Sequence, residues 1–263
     1  MNFWIERDGA AAGSAPPLLM ITGLGYATWC WQELRALLRA DAALTLFDNR
    51  GSGRSDKPAG PYTIPMLADD AAAVMDQAGL ESAHVLGHSM GGYIAQTLAL
   101  RHPRRVRSLI LVGTSPGGPE THPVPAATQE VWKLAGTMPP AQYARQSMPH
   151  SFAPGWTAKH PVEFDAILER RLAFPTPTAS WLAQYQACVD YVTHGLDVTA
   201  IRVPATVIHG EQDQVVPHHN GKLLSQRLPG ARFVSLPDVG HLPMLEVAPR
   251  LATLVREHLA AHS

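Results

Sequence analysis

The chain reads as an α/β protein: a mostly parallel sheet with helices on both faces and a helical cap inserted between two of its strands. Three observations predict this. Short apolar runs alternate with helix-like stretches along most of the 263 residues, as expected of strand–helix units folded into a parallel sheet. Residues 83–92, Ala-His-Val-Leu-Gly-His-Ser-Met-Gly-Gly, put a Gly-x-Ser-x-Gly pattern between an apolar run and a helical one. Residues 116–200 break the rhythm, with helical patterns, many prolines and no convincing strand.

The elements follow in order. Asn2 to Arg7 alternates like a strand, and Leu18 to Thr22 is short and apolar enough to be a buried one. Trp29 to Arg39 has helical spacing through Trp31, Leu34, Leu37 and Leu38, and Ala43 to Phe47 is the next strand. Ala68 to Ala78 is Ala-rich and helical, with Asp69 and Asp70 expected in an early turn, where the helix dipole favours acids. A strand ending near Gly87 and a helix over Tyr93 to Leu100 flank the serine motif. Arg107 to Val112 and Ala205 to His209 are strands, His218 to Leu228 a helix, Ala231 to Leu236 the last strand and Val247 to His258 the last helix. Crossovers between parallel strands should be right-handed. The sequence thus divides into a core of residues 1–116 and 196–263 and a cap of residues 117–195, entered at Pro116-Gly117-Gly118-Pro119 and left by Val203-Pro204.

Composition narrows the function classes. Hydrophobic residues make up 46% and charged ones 16%, which excludes a disordered chain. A formal net charge of −1 gives no electrostatic reason to expect nucleic acid or an anionic membrane as partner. Cys30 and Cys188 are isolated and read as free thiols, and no Cys or His spacing resembles a metal site. The N-terminal residues lack a basic start and an apolar stretch of signal-peptide type, and Leu18-Leu19-Met20-Ile21 is too short to span a bilayer. A cytoplasmic location is the resulting expectation.

A serine at a sharp strand–helix corner is held in a strained backbone conformation with its hydroxyl pushed outward, and the helix N-terminus aims free N–H groups at the same place. Gly87 and Gly91 fit this picture, since a side chain at either would collide with a neighbouring strand or helix. The bland alternative is a glycine-rich turn without chemistry; the flanking strand and helix favour a nucleophile at Ser89.

With these motifs the chain resembles the α/β-hydrolase superfamily, and within it the small, cap-bearing, cofactor-free esterases, enol-lactonases and related serine enzymes. The resemblance covers nearly the whole chain. It rests on Ile21-Thr22-Gly23-Leu24-Gly25, on Phe47-Asp48-Asn49-Arg50-Gly51-Ser52-Gly53-Arg54-Ser55, on the serine corner, on His209-Gly210-Glu211-Gln212-Asp213 and on Val239-Gly240-His241, in the superfamily's order. It implies a triad in the order Ser89, Asp213, His241, an oxyanion hole made by the backbone N–H groups of Leu24 and Met90, and no cofactor or metal.

The competitors are weaker. His209 ends a strand and reads as structural; His218 and His219 open a helix and read as solvated; His84 lies within a strand; His258 and His262 belong to the terminal helix and tail. His88, inside the corner, is expected to point away from the nucleophile. Glu211 and Asp238 are loop residues, and Gly113-Thr114-Ser115-Pro116, where some relatives carry the acid, holds no carboxylate. Many relatives have His-Gly where this chain has Thr22-Gly23, which leaves Thr22 to support that loop through its hydroxyl. Asp48 to Ser55 lacks the spacing of a nucleotide loop and reads as a turn tied down by Asp48 and Arg50.

The cap holds nine of the chain's eighteen aromatic residues, Phe, Tyr and Trp being six each. Large side chains are needed to give a small helical unit its own core, but some, with Trp132, Tyr143, Trp156 and Trp181 as candidates, are expected to line an apolar substrate pocket above Ser89. Arg145, Arg170 and Arg171 are the cap cations that an acidic lactone would require, although surface arginines are the commoner case. The leading expectation is a serine hydrolase acting on a small-molecule ester or lactone with an apolar part. Carbon–carbon bond hydrolases, cofactor-free perhydrolases, thioesterases and hydroxynitrile lyases share the triad, and a ligand receptor on the same fold is the non-enzymatic alternative.

Overall fold

In the computed structural model, which describes residues 1–10 and 14–262, one seven-stranded sheet forms the centre of the molecule. Its strands are β1 (Ile5–Gly9), β2 (Pro17–Ile21), β3 (Ala43–Phe47), β4 (Ala83–His88), β5 (Val106–Val112), β6 (Ala205–Gly210) and β7 (Arg232–Leu236), in the spatial order β1-β3-β2-β4-β5-β6-β7. Among the described residues, β1 runs antiparallel to its neighbour and the other pairings are parallel. The helices are α1 (Gln32–Leu38), α2 (Ile64–Gln77), α3 (Met90–Arg101), α4 (Ala126–Trp132), α5 (Pro140–Ser147), α6 (Trp156–Lys159), α7 (Pro161–Ala173), α8 (Thr178–His194), α9 (His218–Arg227), α10 (Pro243–Glu246) and α11 (Ala248–His262).

Both faces of the sheet are buried, which is why its strands read as unbroken apolar runs rather than as alternation. Leu18, Met20, Leu86, Ile110 and Ile208 join one core with Leu34 of α1 and Leu251 and Val255 of α11. Leu19, Ile21, Val85, Leu109 and Val207 join the other with Leu67 of α2, Ile94 of α3 and Leu224 of α9. At about 25 cal/mol per Å² of apolar surface, this two-sided burial is the main term holding the sheet together.

Two boundaries differ from the sequence expectation. The first strand is Ile5–Gly9, not Asn2–Arg7: the N–H groups of Asn2 and Trp4 donate to the side chains of Asp56 and Ser55, so this segment is tied to a loop. The helix expected from Ala68 begins at Ile64, with the Thr63 hydroxyl accepting the Met66 N–H and Pro65 in the first turn. Asp69 and Asp70 therefore lie past the first turn and are held by side-chain contacts instead: Asp70 pairs with Arg50, and Asp69 pairs with Arg101 and is hydrogen-bonded to His102.

Helices α4 to α8 all lie between β5 and β6, with no strand among them. Many hydrogen bonds fasten this insertion to the core, and among them are contacts with the loops that follow β6, β7 and β2 at the carboxyl edge of the sheet. The Thr128 hydroxyl donates to the Gln214 carbonyl at 2.7 Å, the His241 N–H donates to the Ser151 carbonyl at 3.0 Å, and the Gly25 N–H donates to Gln184 Oε1 at 3.0 Å.

Candidate active site

Ser89 joins β4 to α3 at φ 54°, ψ −120°, a left-handed conformation that a non-glycine residue holds only when its surroundings enforce it. The enforcement is local. A Cβ on Gly87 would lie 2.3 Å from the Gly91 carbonyl oxygen, and one on Gly91 would lie 2.2 Å from the Ile21 carbonyl oxygen. β4, α3 and the end of β2 thus meet at distances only hydrogen permits, and the turn cannot relax. The Ser89 carbonyl takes the Thr114 hydroxyl at 2.9 Å and the Gly92 N–H at 2.8 Å, anchoring the corner from the far side.

Asp213 follows β6 and His241 follows β7, so parallel strands deliver both to the carboxyl edge where β4 delivers Ser89. His241 Nδ1–H donates to Asp213 Oδ2 at 2.7 Å, both side chains being buried. The other carboxylate oxygen, Oδ1, accepts the N–H groups of Val215 and Val216, each at 2.8 Å. His209 Nε2 lies 3.2 Å from Oδ2 while donating to the Val216 carbonyl. Burial alone would push the Asp213 carboxyl up. The charge interaction with His241, and the hydrogen bonds and charge interactions from His209 and His241, overcome it and hold the carboxyl well below its usual range. This pair leaves His241 Nε2 as the ring's free basic position. Ser89 and His241 line the same cavity; in this state the Ser89 hydroxyl is not hydrogen-bonded to a described residue, a contact that often tightens only when substrate binds.

His88 departs from expectation. Rather than pointing away from the site, its ring lies 4.7 Å from that of His241, and its Nε2–H donates to the His241 carbonyl at 2.8 Å. Burial, with the nearby His241, pushes its pKa down to about 3, so it stays neutral and braces the His241 loop from below. The sequence carries no local sign of this, because the partner is on another loop 153 positions away. His218 also departs: it is half-buried and bonded to Ser235 Oγ at 2.8 Å instead of being solvated.

Met90 is the first residue of α3, and a first-turn N–H has no acceptor within its own helix. The Leu24 N–H makes no hydrogen bond to a described residue, and Leu24 lines the cavity beside Ser89. The loop that carries it is supported as the Thr22 substitution requires. Asn49 Nδ2 donates to the Thr22 carbonyl at 3.0 Å and to its hydroxyl at 3.1 Å, while that hydroxyl donates to the Tyr26 carbonyl at 3.3 Å. Asp48 accepts the N–H groups of Thr28 and Arg54, so the Asp48–Ser55 segment is the structural turn expected.

The cavity has a volume of roughly 270 Å³. Trp132, Tyr143 and Trp181 line it, and Tyr185, stacked on Trp181 at 5.3 Å, joins them. Trp156 does not line it: its ring is stacked between Phe152, at 4.5 Å, and His160, at 4.6 Å, packing the insertion against the core. Among the described residues no cluster of His, Cys, Asp and Glu is arranged to hold a metal ion, and no helix is long and apolar enough to cross a membrane.

Comparison with known proteins shows the family to which the chain belongs. The sequence profile of the alpha/beta hydrolase fold matches residues 16–248. A candidate carbamate hydrolase, RutD, of Azorhizobium caulinodans is 31% identical over 226 residues, covering 85% of this chain and 83% of its own. A 2-hydroxymuconate semialdehyde hydrolase of Pseudomonas sp. strain CF600 is 28% identical over 272 residues, covering 95% and 88%. Among solved structures, the enol-lactonase from Burkholderia xenovorans LB400 superposes with a TM-score of 0.85 at 28% identity, covering 98% of this chain and 96% of its own.

Proposed function

From the premise that the chain belongs to the α/β hydrolase fold family, we propose that it hydrolyses a carboxylic ester or lactone through an acyl-enzyme on Ser89. The observation that carries this reading is the convergence on one cavity edge of a strained serine and a histidine bonded at 2.7 Å to a buried carboxylate. A serine hydroxyl is a weak nucleophile without an adjacent base, and a histidine oriented by a carboxylate supplies one.

In the proposed reaction Ser89 Oγ attacks the carbonyl carbon while its proton passes to His241 Nε2. The resulting oxyanion takes the N–H groups of Met90 and Leu24, each such donor being worth about 3 kcal/mol at comparable sites. Collapse breaks the bond to the alcohol oxygen, which leaves with the proton from His241. A water, deprotonated by the same nitrogen, then releases the acid and restores Ser89. Asp213 remains ionised throughout and stabilises the charged imidazole. We read residues 117–195 as the cap that closes over this site, with Trp132, Tyr143 and Trp181 as apolar walls for the substrate.

The relatives are named for a carbamate, 2-hydroxymuconate semialdehyde and an enol-lactone. All three are hydrolytic activities, and the ester or lactone reading takes the enol-lactonase as its guide because that likeness spans almost the whole chain. Labelling with a fluorophosphonate followed by peptide mapping tests the nucleophile without choosing a substrate. Modification at Ser89, absent from Ser89→Ala, is the expected result; an unlabelled wild-type protein overturns the reading. A panel of esters, lactones, carbamates and 1,5-diketones, ranked by kcat/KM, then separates the chemistries.

A further inference from the structure

We propose that the cavity contains a binding site for a carboxylate on the substrate, formed by Arg171 with the hydroxyls of Tyr26 and Tyr143. This deepens the ester or lactone reading, on which it rests for its position beside the scissile carbonyl.

Arg171 stands apart from the other cap arginines. Arg145 pairs with Asp165 at 2.9 Å within the insertion, and Arg170 pairs with Glu33 of α1 at 2.7 Å. Arg171, on α7, lines the cavity, and among the described residues no carboxylate lies within ion-pair distance of it. Its guanidinium lies 5.0 Å from the centre of the Tyr26 ring, a contact that holds the group in place without neutralising it. Among the described residues it is the one lysine or arginine lining this cavity. His88, which shares the lining, is kept neutral by burial.

Two hydroxyls that share the cavity wall with it also lack a close hydrogen-bond partner among the described residues. Among the described residues, Tyr26 Oη and Tyr143 Oη, both buried, make no hydrogen bond within 3.5 Å, and both residues line the cavity. Burial raises both phenols and the charge of Arg171 pulls both back, in keeping with the cavity wall the three residues share. Buried polar groups without partners are rare in folded proteins, and a cluster of them around an unpaired cation calls for an anionic acceptor. A carboxylate fits better than a phosphate. One cation balances one negative charge, and the planar fork of arginine matches the two carboxylate oxygens.

The position is equally specific. Arg171 Nη2 lies 3.8 Å from where a Cβ on Gly25 would stand, so the guanidinium borders the loop that carries Leu24. A substrate acid held there would orient an ester carbonyl towards that loop and Ser89.

Calorimetric titration of the Ser89→Ala protein with monomethyl adipate and with dimethyl adipate tests this. The monoanion is expected to bind about tenfold more tightly than the diester, an advantage that corresponds to one charge-assisted contact and shrinks as salt is raised. Adding Arg171→Met should erase the preference while leaving diester affinity within about threefold. Equal binding of the two esters, or an Arg171→Met protein that loses both alike, overturns the proposal. The comparison of the two esters needs no cap variant, so it stands even if Arg171→Met folds poorly. Turnover plays no part in it: a preference for the monoanion alongside failed fluorophosphonate labelling would remove the hydrolase reading and leave the carboxylate site standing.

Discussion

The Gly25 amide and the Gln184 side chain, 159 positions apart, are joined by a 3.0 Å hydrogen bond that runs from the loop beside Ser89 into the middle of α8. Gln184 is fully buried, and its Nε2 also donates to the Arg50 carbonyl at 2.8 Å and to Ser52 Oγ at 3.0 Å. One side chain of the insertion therefore spans two core loops and fixes the position of the Leu24 N–H.

Replacing it tests that role. Gln184→Leu keeps the volume but leaves a buried donor and acceptor unpaired, a cost of about 2–4 kcal/mol. The expected kinetic signature is a fall in kcat on p-nitrophenyl butyrate of roughly tenfold or more with a smaller change in KM, since the lost geometry serves the transition state. Steady-state kinetics with a thermal melt would check both; an unchanged kcat in a folded variant would show that the loop holds its shape alone.

The strain at Ser89 gives a second prediction. Ser89→Ala should abolish esterase turnover yet keep the unfavourable φ of 54°. Ser89→Gly should abolish turnover too, but be more stable than Ser89→Ala by about 1 kcal/mol and so melt higher, because glycine adopts positive φ without penalty. Equal melting temperatures for the two variants would mean that the corner is not strained.

Asp213→Asn should lower kcat by roughly 10³–10⁴, the scale expected when the base loses its orienting carboxylate. The same change weakens the contacts from His209, Val215 and Val216, so a loss of stability should accompany it. Urea unfolding beside the kinetics separates the two effects, and near-normal kcat in Asp213→Asn would exclude Asp213 from the triad.

Buried histidines set the acid limit of stability. Burial pushes His88 and His258 from 6.5 down to about 3 and His84 from 6.5 down to about 4. Below about pH 6.5 the unfolded chain takes up these protons and the folded one does not, so stability falls as pH drops from there towards the folded values. Asp213 works the same way but only lower: its depressed pKa adds stability that is lost below its unfolded value of 3.8. Each histidine contributes up to about 1.4 kcal/mol per pH unit. His258→Gln removes one titration, and urea unfolding between pH 6 and 4.5 should then show a slope shallower by about that amount. An unaltered slope would refute the buried, neutral state of His258.

Much of this was legible in the sequence. Two-sided burial writes parallel strands as apolar runs, and Ser89, Asp213 and His241, the three residues proposed for the triad, each follow such a run, so chain order singled them out. Thr63 and Pro65 also marked the start of α2, a cap-and-proline signal outweighed by the alanine-rich stretch that follows. What the sequence withheld were contacts between distant loops. Nothing near His88 announces the His241 carbonyl, nothing near Gln184 announces Gly25, and nothing distinguishes Arg171 from Arg170, which sits one position away and faces Glu33. Trp156 failed for a related reason: aromatic character cannot tell a packing residue from a wall residue.

Among the contacts by which the insertion grips the core, those of Thr128, Ser151 and Gln184 each hold a different loop around Ser89, Asp213 and His241. Its helices are consequently poor modules for grafting. A chimera that borrows them from another protein for a new specificity would inherit a differently shaped chamber and, unless those three attachments travelled with it, misaligned loops around Ser89, Asp213 and His241. Engineering effort is better directed at side chains such as Trp132 and Tyr143, whose replacement reshapes the chamber while the moorings stay in place.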